Sequence, residues 1–147
     1  MQKAVMIYST TDGQTKRICE FLMQKLKAQI DIDLFSIEEA DQVKLNLYDK
    51  IIIGASIRYG KHSPNLYKFI EKNIEILKAN FTAFFTVNVV ARKEGKNTPD
   101  TNPYMKKFLQ LTNWQPNLLG VFAGKIDYPS YKFTDKQMIR LIMFITK

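Results

Sequence analysis

Short apolar runs alternate with helix-periodic segments along the chain, and this alternation is the feature that most constrains the fold. The runs have the length and the β-branched content of buried strands, as Ile51-Ile52-Ile53 illustrates. Strands separated by helices predict a parallel sheet with helices on both faces, in which ligands bind outside the carboxyl ends of the strands. Five strands are predicted, at residues 4–8, 31–37, 50–55, 83–90 and 118–123.

The helices between these strands are predicted from caps and from apolar spacing. From Gln14 onward, apolar residues at helical spacing indicate a first amphipathic helix. Ser63 can cap a second helix that begins at Pro64, and residues 104–111 are predicted to form a third. The second helix is expected to continue past residue 73, because Leu66, Ile70, Ile74 and Leu77 share one face. At 147 residues, the chain is predicted to be one α/β domain over 1–147.

The turn after the first strand is rich in hydroxyl groups and leads directly into the first helix. Unpaired N–H groups and the positive end of the backbone dipole favour an anion at such a helix start. The G-x-x-x-x-G-K-[ST] loop of nucleoside triphosphate sites and the G-x-G-x-x-G dinucleotide motif are both absent. The turn therefore suits one phosphate ester held by neutral donors, as in flavin mononucleotide (FMN), and a plain helix cap is the alternative. Its residues are Ser9, Thr10, Thr11, Asp12, Gly13, Gln14 and Thr15.

Two further loops follow the third and fourth predicted strands. A parallel sheet brings them to the same edge as the hydroxyl-rich turn. A phosphoacceptor receiver domain has this layout too, but it needs a carboxylate where this chain has Gly54 and Ala55. The candidate ligand residues are Ser56, Ile57, Arg58, Tyr59 and Gly60 in one loop, and Asn88, Val89, Val90, Ala91, Arg92 and Lys93 in the other.

The cysteine and histidine counts exclude several classes of site. With one cysteine and one histidine, a zinc cluster or a cysteine–histidine dyad has little support, and no metal is expected. Cys19 lies near the apolar face of the first helix, which favours a buried, unreactive thiol over a nucleophile. A disulfide framework is not indicated. The first strand starts close to Met1, so no signal peptide is expected, and no run reaches the roughly 18 apolar residues of a membrane-spanning helix.

The net charge of +8 is unevenly distributed. Lysine and arginine balance the acidic residues over 1–60, whereas residues 61–147 contain fourteen basic and six acidic residues. A basic surface of this kind suits nucleic acid, an anionic membrane or a polyanionic substrate. A merely soluble surface is the alternative.

Motifs spread over essentially the whole chain carry a resemblance to a known family. They are the turn 9–15, the segments 53–60 and 88–93, Thr98-Pro99 with Thr101-Asn102, and Ala123-Gly124 followed by Tyr128-Pro129 and Tyr131. With these motifs the chain resembles the flavodoxin-like, quinone-dependent protoporphyrinogen IX dehydrogenases of bacterial haem synthesis. The second and third motifs together are the specific ones, because the first indicates only a flavodoxin-like protein.

The resemblance implies a fold, a cofactor, a reaction and partners. It implies a doubly wound five-stranded parallel sheet of order 2-1-3-4-5, and FMN as the cofactor. The implied reaction converts protoporphyrinogen IX to protoporphyrin IX and passes electrons to a membrane quinone, either menaquinone or ubiquinone. The implied location is the cytoplasmic side of the inner membrane, in peripheral contact with its anionic surface and without nucleic acid. A generic flavodoxin-like electron carrier or quinone reductase is the alternative function.

Arg58, Arg92 and Lys93 are the candidate catalytic residues. If the turn 9–15 holds the FMN phosphate and the other two loops flank the flavin ring, these cations would lie near the flavin. Positive charge there favours the anionic reduced form, and Tyr59 is a candidate stacking partner. The same cations could bind the propionates of the substrate. Solvated loop charge is the alternative for each of them.

The segment 125–147 combines aromatic and basic residues with an apolar helix, and in the family it corresponds to an insertion near the active site. Thr134 and Gln137 form a capping box, which predicts a helix from Asp135. This helix suits either a membrane contact or the protein core. Relatives continue to a further helix that this chain lacks, so a sheet face is expected to be left uncovered. The segment 135–147 could fold back over that face, or another chain could cover it in a homo-oligomer. Alternatively, the chain could be a truncated and weakly stable form of a family member.

Overall fold

A computed structural model describes residues 2–10, 13–123 and 136–147 of the chain. The five strands predicted from the apolar runs form one parallel sheet. They are β1 (Lys3–Ser9), β2 (Asp31–Ser36), β3 (Lys50–Ser56), β4 (Phe81–Asn88) and β5 (Leu118–Ala123). Their order is β2-β1-β3-β4-β5, which confirms the flavodoxin-like order 2-1-3-4-5.

Five α-helices connect or follow the strands within the described residues. They are α1 (Gln14–Leu26), α2 (Pro64–Lys72), α3 (Ile74–Ala79), α4 (Pro103–Leu111) and α5 (Lys136–Thr146). The predicted cap of α2 is present, since the Ser63 hydroxyl accepts from the Asn65 N–H at 3.2 Å. The strand predicted to run to residue 90 ends at Asn88 instead, because the Asn88 side chain accepts from the Ala91 N–H and turns the backbone into a 3₁₀ helix, Val89–Arg92.

The second predicted helix is interrupted, so that α2 and α3 are separate. The interruption lies at Asn73, whose side-chain amide donates to the Phe69 carbonyl at 2.9 Å. An asparagine side chain that bonds its own backbone competes with helix continuation. The apolar face nevertheless persists across the break, because Leu66, Ile70 and Leu77 are all buried.

Alternate residues of the strands pack into two hydrophobic layers, one on each face of the sheet. Val5 and Ile7 of β1 face the layer covered by α2, α3 and α4, where the rings of Phe84 and Phe108 stack with centroids 3.8 Å apart. Ala4 and Met6 face the opposite layer, which α1 and α5 cover. Helices cover both faces of the sheet, and the loops after the strands lie at its carboxyl edge.

Helix α5 corrects the expectation of an uncovered sheet face. Its apolar side chains Met138, Leu141 and Ile145 are buried in the same layer as the first helix. The Lys50 ammonium group closes the far end of the helix, donating to the carbonyls of Phe144 at 2.6 Å and Ile145 at 3.0 Å. Of the three options for the segment 135–147, the described residues 136–147 show the fold-back. The apolar stripe of α5 belongs to the core.

Parts of the C-terminal prediction lie outside the described residues. These are the aromatic and basic residues of 125–133 and the Thr134 member of the capping box. Gln137, its other member, accepts from the Val121 N–H at 3.1 Å through Oε1, and thereby links α5 to the edge strand. Within the described ranges, none of the helices has both the length and the apolar content that crossing a membrane requires.

Candidate flavin site

The loops that carry the predicted site residues meet at the carboxyl edge of the sheet. Register places Ser9 beside Ala55, Ser56 beside Val87, and Asn88 beside Ala123. The hydroxyl-rich turn, the loop after β3 and the loop after β4 therefore start at the same level of the sheet. All strands of a parallel sheet end at the same edge, so the loops that follow them start there. FMN binds at the β1/β3 switch point of a flavodoxin-like sheet, which lies on this edge.

The turn after β1 presents an open helix start. Gly13 has φ of 87°, a left-handed conformation that a side chain disfavours, and its N–H donates to the Thr10 hydroxyl at 3.0 Å. No side chain of the described residues caps α1 at Gly13, and the first turn of α1 carries no acidic residue. The positive end of the α1 dipole therefore has no acidic counter-charge from its own first turn, which favours an anion there. Thr11 and Asp12 lie outside the described residues.

The threonine at the second position of α1 has a hydroxyl without a hydrogen-bond partner among the described residues. Thr15 is completely buried, and its Oγ1 has no hydrogen bond to any described residue. Within the part of the chain that the structure describes, Ser56 at the end of β3 is the second buried side chain whose hydroxyl lacks a partner. Buried polar groups are normally bonded, so each exception needs an explanation. Both exceptions lie at the carboxyl edge, where a phosphate and a flavin ring with polar atoms would supply the missing partners.

The loop after β3 is a tight turn that exposes an aromatic ring. Arg58 and Lys61 exchange backbone hydrogen bonds of 2.9 and 3.2 Å, and between them Tyr59 and Gly60 have φ values of 52° and 77°. Positive φ at a tyrosine is strained. Its side chain is 86% exposed, and the Arg58 guanidinium lies 5.0 Å from the ring centroid. The turn thus holds a cation and an aromatic ring together at the surface.

The loop after β4 places its cations at the surface and its small residue inside. Arg92 and Lys93 are exposed, Val89 is 62% exposed, and Ala91 is buried beneath them. Neither Arg92 nor Lys93 makes a salt bridge to another described residue. Val90 is half-buried. The loop can therefore direct positive charge toward a ligand at the edge.

A cleft of about 320 Å³ lies between these two loops. It brings together four predicted residues of the first loop with two of the second. Sequence reasoning missed two lining residues, Val87 and Tyr104: one is the penultimate residue of β4, and the other lies in the first turn of α4. The complete lining is Ser56, Ile57, Tyr59, Gly60, Val87, Asn88, Val89 and Tyr104.

A larger cavity, of about 710 Å³, lies at the opposite edge of the sheet. Asp49, Lys50 and Phe81 line it, and these residues belong to the amino ends of β3 and β4. None of the predicted site residues lines it. Because ligands of open α/β sheets bind beyond the carboxyl ends of the strands, the smaller cleft is the candidate site.

Other titratable groups do not form a second reactive centre among the described residues. Cys19 is buried as predicted, and burial raises the pKa of its thiol far above the ordinary value, which favours the protonated, unreactive form at neutral pH. Within the same residues, no group of three or more histidine, cysteine, aspartate or glutamate side chains could hold a metal ion.

Comparisons with known proteins agree with this geometry. A family model described as a flavodoxin domain matches residues 5–147. The chain is 42% identical to protoporphyrinogen IX dehydrogenase [quinone] of Leishmania major over 146 residues, which is 98% of this chain and 63% of the relative. It is 40% identical to the Escherichia coli protein of the same name over 142 residues, which is 96% of this chain and 78% of that relative. The chain thus spans less than two thirds of the length of the Leishmania relative.

Solved structures show the same fold at low sequence identity. Two-electron reduced Megasphaera elsdenii flavodoxin superposes with a TM-score of 0.69 and 12% identity, over 97% of this chain and 98% of that one. Rubredoxin oxygen:oxidoreductase from Desulfovibrio gigas gives 0.64 at 9% identity, over 99% of this chain and 35% of that one.

The cofactor follows from the fold family and fits the residues present. A flavodoxin domain is an FMN-binding domain, and the open start of α1 together with the two unpartnered hydroxyls suits that cofactor. On the family match and the near full-length identity, the chain belongs to the flavodoxin family, in the group of the quinone-dependent protoporphyrinogen IX dehydrogenases.

Proposed function

We propose that the chain oxidises protoporphyrinogen IX to protoporphyrin IX with FMN, and that the six hydrogens removed reduce three quinone molecules to quinols. One observation carries the proposal: the edge that holds the two unpartnered hydroxyls also presents exposed Arg58, Arg92 and Lys93. The curated relatives that carry the name of this reaction support it. FMN, when bound, supplies the two-electron acceptor and donor.

The residues of the first turn bind and orient the cofactor. Ser9, Thr10, Gly13, Gln14 and Thr15 surround the start of α1, where backbone N–H groups and neutral hydroxyls receive the phosphate. Thr11 and Asp12 complete the turn in the sequence. A site of this kind holds the phosphate with neutral donors and without a lysine between Thr10 and Thr15.

The residues of the other two loops act on the ring and on the substrate. In the proposed site, Ser56, Ile57 and Gly60 of one loop and Asn88 to Ala91 of the other would hold the ring of the cofactor. Tyr59 is the stacking partner, because it is the exposed aromatic at the cleft. Arg92 and Lys93 place positive charge beside the ring, which favours a reduced, negatively charged state and raises the potential.

The same cations also suit the carboxylates of the substrate. Arginine offers a bidentate fork to a propionate, whereas lysine offers a point charge. Arg58 already lies against the Tyr59 ring, so a bound porphyrinogen would meet a cation and an aromatic surface together. These residues bind and orient the substrate, and they exclude water from the face of the ring.

The location that we propose is the cytoplasmic side of the inner membrane, in peripheral contact with anionic lipid. At the carboxyl edge, Tyr59 and Val89 are exposed apolar side chains among basic residues. This combination suits an interfacial contact, and a quinone acceptor resides in the bilayer. Flotation with phosphatidylglycerol vesicles, but not with phosphatidylcholine vesicles, and release at about 0.5 M salt are expected. Equal flotation with both lipids would contradict an electrostatic contact.

A visible absorption spectrum and an anaerobic turnover assay test the reaction. The purified protein, with FMN added if needed, should show flavin absorption bands. It should then convert protoporphyrinogen IX to fluorescent protoporphyrin IX only when a menaquinone analogue is present. Folded protein that stays colourless with excess FMN would refute the flavin site, and flavin-loaded protein without porphyrin formation would refute the reaction.

The variant Arg92→Ala tests whether Arg92 acts on the substrate or holds the cofactor. It should lower turnover more than it lowers FMN retention, because Arg92 lies outside the phosphate turn. Lys78→Ala is the matched control, since it removes an equal charge from an exposed position at the end of α3, near the amino edge of the sheet. Unchanged turnover with loss of FMN in Arg92→Ala would show that the assigned role is wrong.

A generic electron carrier or quinone reductase is the second candidate function. It is favoured by the match of a flavodoxin domain model to residues 5–147, since that domain by itself specifies no porphyrinogen substrate. Such a protein would bind FMN and reduce quinones with an artificial donor, but it would not oxidise protoporphyrinogen. The anaerobic assay therefore distinguishes the two candidates.

A further inference from the structure

Four buried polar side chains beneath the cleft form one continuous hydrogen-bonded network. They come from three separate parts of the chain: His62 from the end of the β3 loop, Thr86 and Asn88 from β4, and Asn102 from the start of α4. Their exposed fractions are 3%, 0%, 3% and 0%. All four side chains are thus almost completely buried, so their hydrogen bonds are made mainly within the protein.

The first half of the network joins His62 to β4. His62 Nε2 lies 2.9 Å from the Thr86 hydroxyl, and the Tyr67 hydroxyl lies 3.5 Å from Nδ1. The imidazole also meets the ring edges of Phe84 and Phe108, with centroids 5.7 and 5.8 Å away. Burial in these surroundings lowers the His62 pKa to about 4, so the ring is neutral at pH 7.

The second half is a reciprocal pair of side-chain amides. Asn88 Nδ2 donates to Asn102 Oδ1 at 3.2 Å, and Asn102 Nδ2 donates to Asn88 Oδ1 at 3.0 Å. The Asn88 amide also donates to the Thr86 hydroxyl at 3.3 Å, which connects the two halves. This amide pair closes a loop between residues that are 14 positions apart.

The amide pair also holds the backbone of that loop. Asn88 Oδ1 accepts from the Ala91 N–H at 3.1 Å, and Asn102 Nδ2 donates to the Lys96 carbonyl at 2.9 Å. Asn102 Oδ1 accepts from the first N–H groups of α4, at Tyr104 and Met105. Hydrogen bonds to one buried network therefore hold both ends of the basic loop 89–101 and, in its middle, the Lys96 carbonyl.

We propose that this network positions the basic loop 89–101 against the loop 56–60, with Thr86, Asn102 and His62 as positioning residues for the FMN cleft. Asn88 lines the cleft itself, whereas Thr86 and His62 are not among its lining residues. A fully bonded buried network holds its members in one arrangement, which gives a binding site its precision. The inference rests on the proposed FMN site, but it does not require protoporphyrinogen or a quinone.

Thr86→Val tests the network with a control on the same strand. Valine removes the hydroxyl that His62 and Asn88 share, whereas Thr86→Ser retains it. The matched control is Thr82→Val, because Thr82 is also buried on β4 and its hydroxyl accepts from Trp114 Nε1 at 3.1 Å, away from the cleft. Both valine variants remove one buried, bonded hydroxyl, so they should destabilise the fold to a similar degree.

The dissociation constant of FMN, measured by fluorescence titration, is the first readout. We expect it to rise about tenfold in Thr86→Val, equivalent to about 1.4 kcal/mol, and to stay within about twofold of wild type in Thr86→Ser and Thr82→Val. An unchanged value in Thr86→Val, or an equal rise in Thr82→Val, would overturn the positioning role. If Thr86→Val does not fold, Asn102→Ser takes its place with the same expectation, because serine still caps α4.

Hydrogen exchange of the Ala91 amide in FMN-free protein is the second readout. Its bond to Asn88 predicts at least tenfold faster exchange in Thr86→Val and little change in Thr82→Val. Equal exchange in the two variants would refute the inference even if wild type bound no FMN. A protein that shows both effects but oxidises no protoporphyrinogen would refute the proposed function alone.

Discussion

Replacing Thr15 with valine should make the FMN-free protein more stable and at the same time weaken FMN binding. The Thr15 side chain is completely buried at the start of α1, and its hydroxyl has no partner among the described residues. Valine has nearly the same shape and a similar helix propensity, so the substitution changes little except the hydroxyl. The two expected effects have opposite signs because the hydroxyl is unpaired without the cofactor and paired with it.

The magnitudes follow from this burial. An unbonded hydroxyl in a protein interior costs about 1–3 kcal/mol by mutational data. Removing it should therefore raise the free energy of unfolding of the FMN-free protein by about 1 kcal/mol. A hydrogen bond to a charged phosphate contributes about 1.5–3 kcal/mol. Its loss should raise the dissociation constant of FMN roughly 10- to 150-fold.

Urea unfolding of the FMN-free protein and a fluorescence titration with FMN measure the two effects separately. Thr15→Ser is the control, because serine retains the hydroxyl and should bind FMN nearly as wild type does. Added FMN should stabilise Thr15→Val less than wild type, in proportion to the weaker binding. A Thr15→Val protein that is less stable without FMN and binds FMN with wild-type affinity would refute the reasoning, since the hydroxyl would then serve the fold.

Three further predictions concern stability. Gly54→Ala should destabilise the protein by about 1–3 kcal/mol in urea unfolding, because a Cβ at this position would overlap the Phe85 ring; a loss under 0.5 kcal/mol would contradict that packing. The His62 pKa of about 4 lies below the ordinary 6.5, so the unfolded state binds more protons between these values. The stability that neutral His62 contributes is therefore fully present above pH 6.5 and is lost as the pH falls. Between pH 7 and pH 5 the free energy of unfolding of wild type should fall by about 2 kcal/mol more than that of His62→Gln. Equal changes in the two proteins over this range would rule this out. Lys50→Met should cost about 1–2 kcal/mol in thermal or urea unfolding, since it removes the cation that closes the end of α5, and a neutral effect would show that the contact contributes nothing.

The strands and the edge of the site were predictable because they depend on local patterns. Ile51-Ile52-Ile53 identifies a buried strand from composition alone, and all five predicted strands are present. A parallel sheet then requires that the segments after β1, β3 and β4 meet at one edge. That consequence needs no knowledge of side-chain contacts. The predicted loops after β3 and β4 accordingly line one cleft.

Other features were beyond sequence reasoning because they depend on distant partners. The helix break at Asn73 depends on whether the Asn73 side-chain amide donates to the Phe69 carbonyl or to water. His62 had no assigned role in the sequence, since its partner Thr86 lies 24 positions away. The position of α5 depends on which part of the sheet beside β5 the first helix leaves uncovered. Local sequence patterns do not reveal that part of the sheet.

The sequence by itself determined the parallel α/β architecture and a hydroxyl-rich helix start suited to a phosphate, because apolar periodicity and turn composition act over a few neighbouring residues. Only the tertiary structure decided which buried hydroxyls lack a partner, which histidine stays neutral and which face the last helix covers. Hydrogen-bond satisfaction and desolvation are set by everything that surrounds a group in space, and most of those surroundings come from remote parts of the chain.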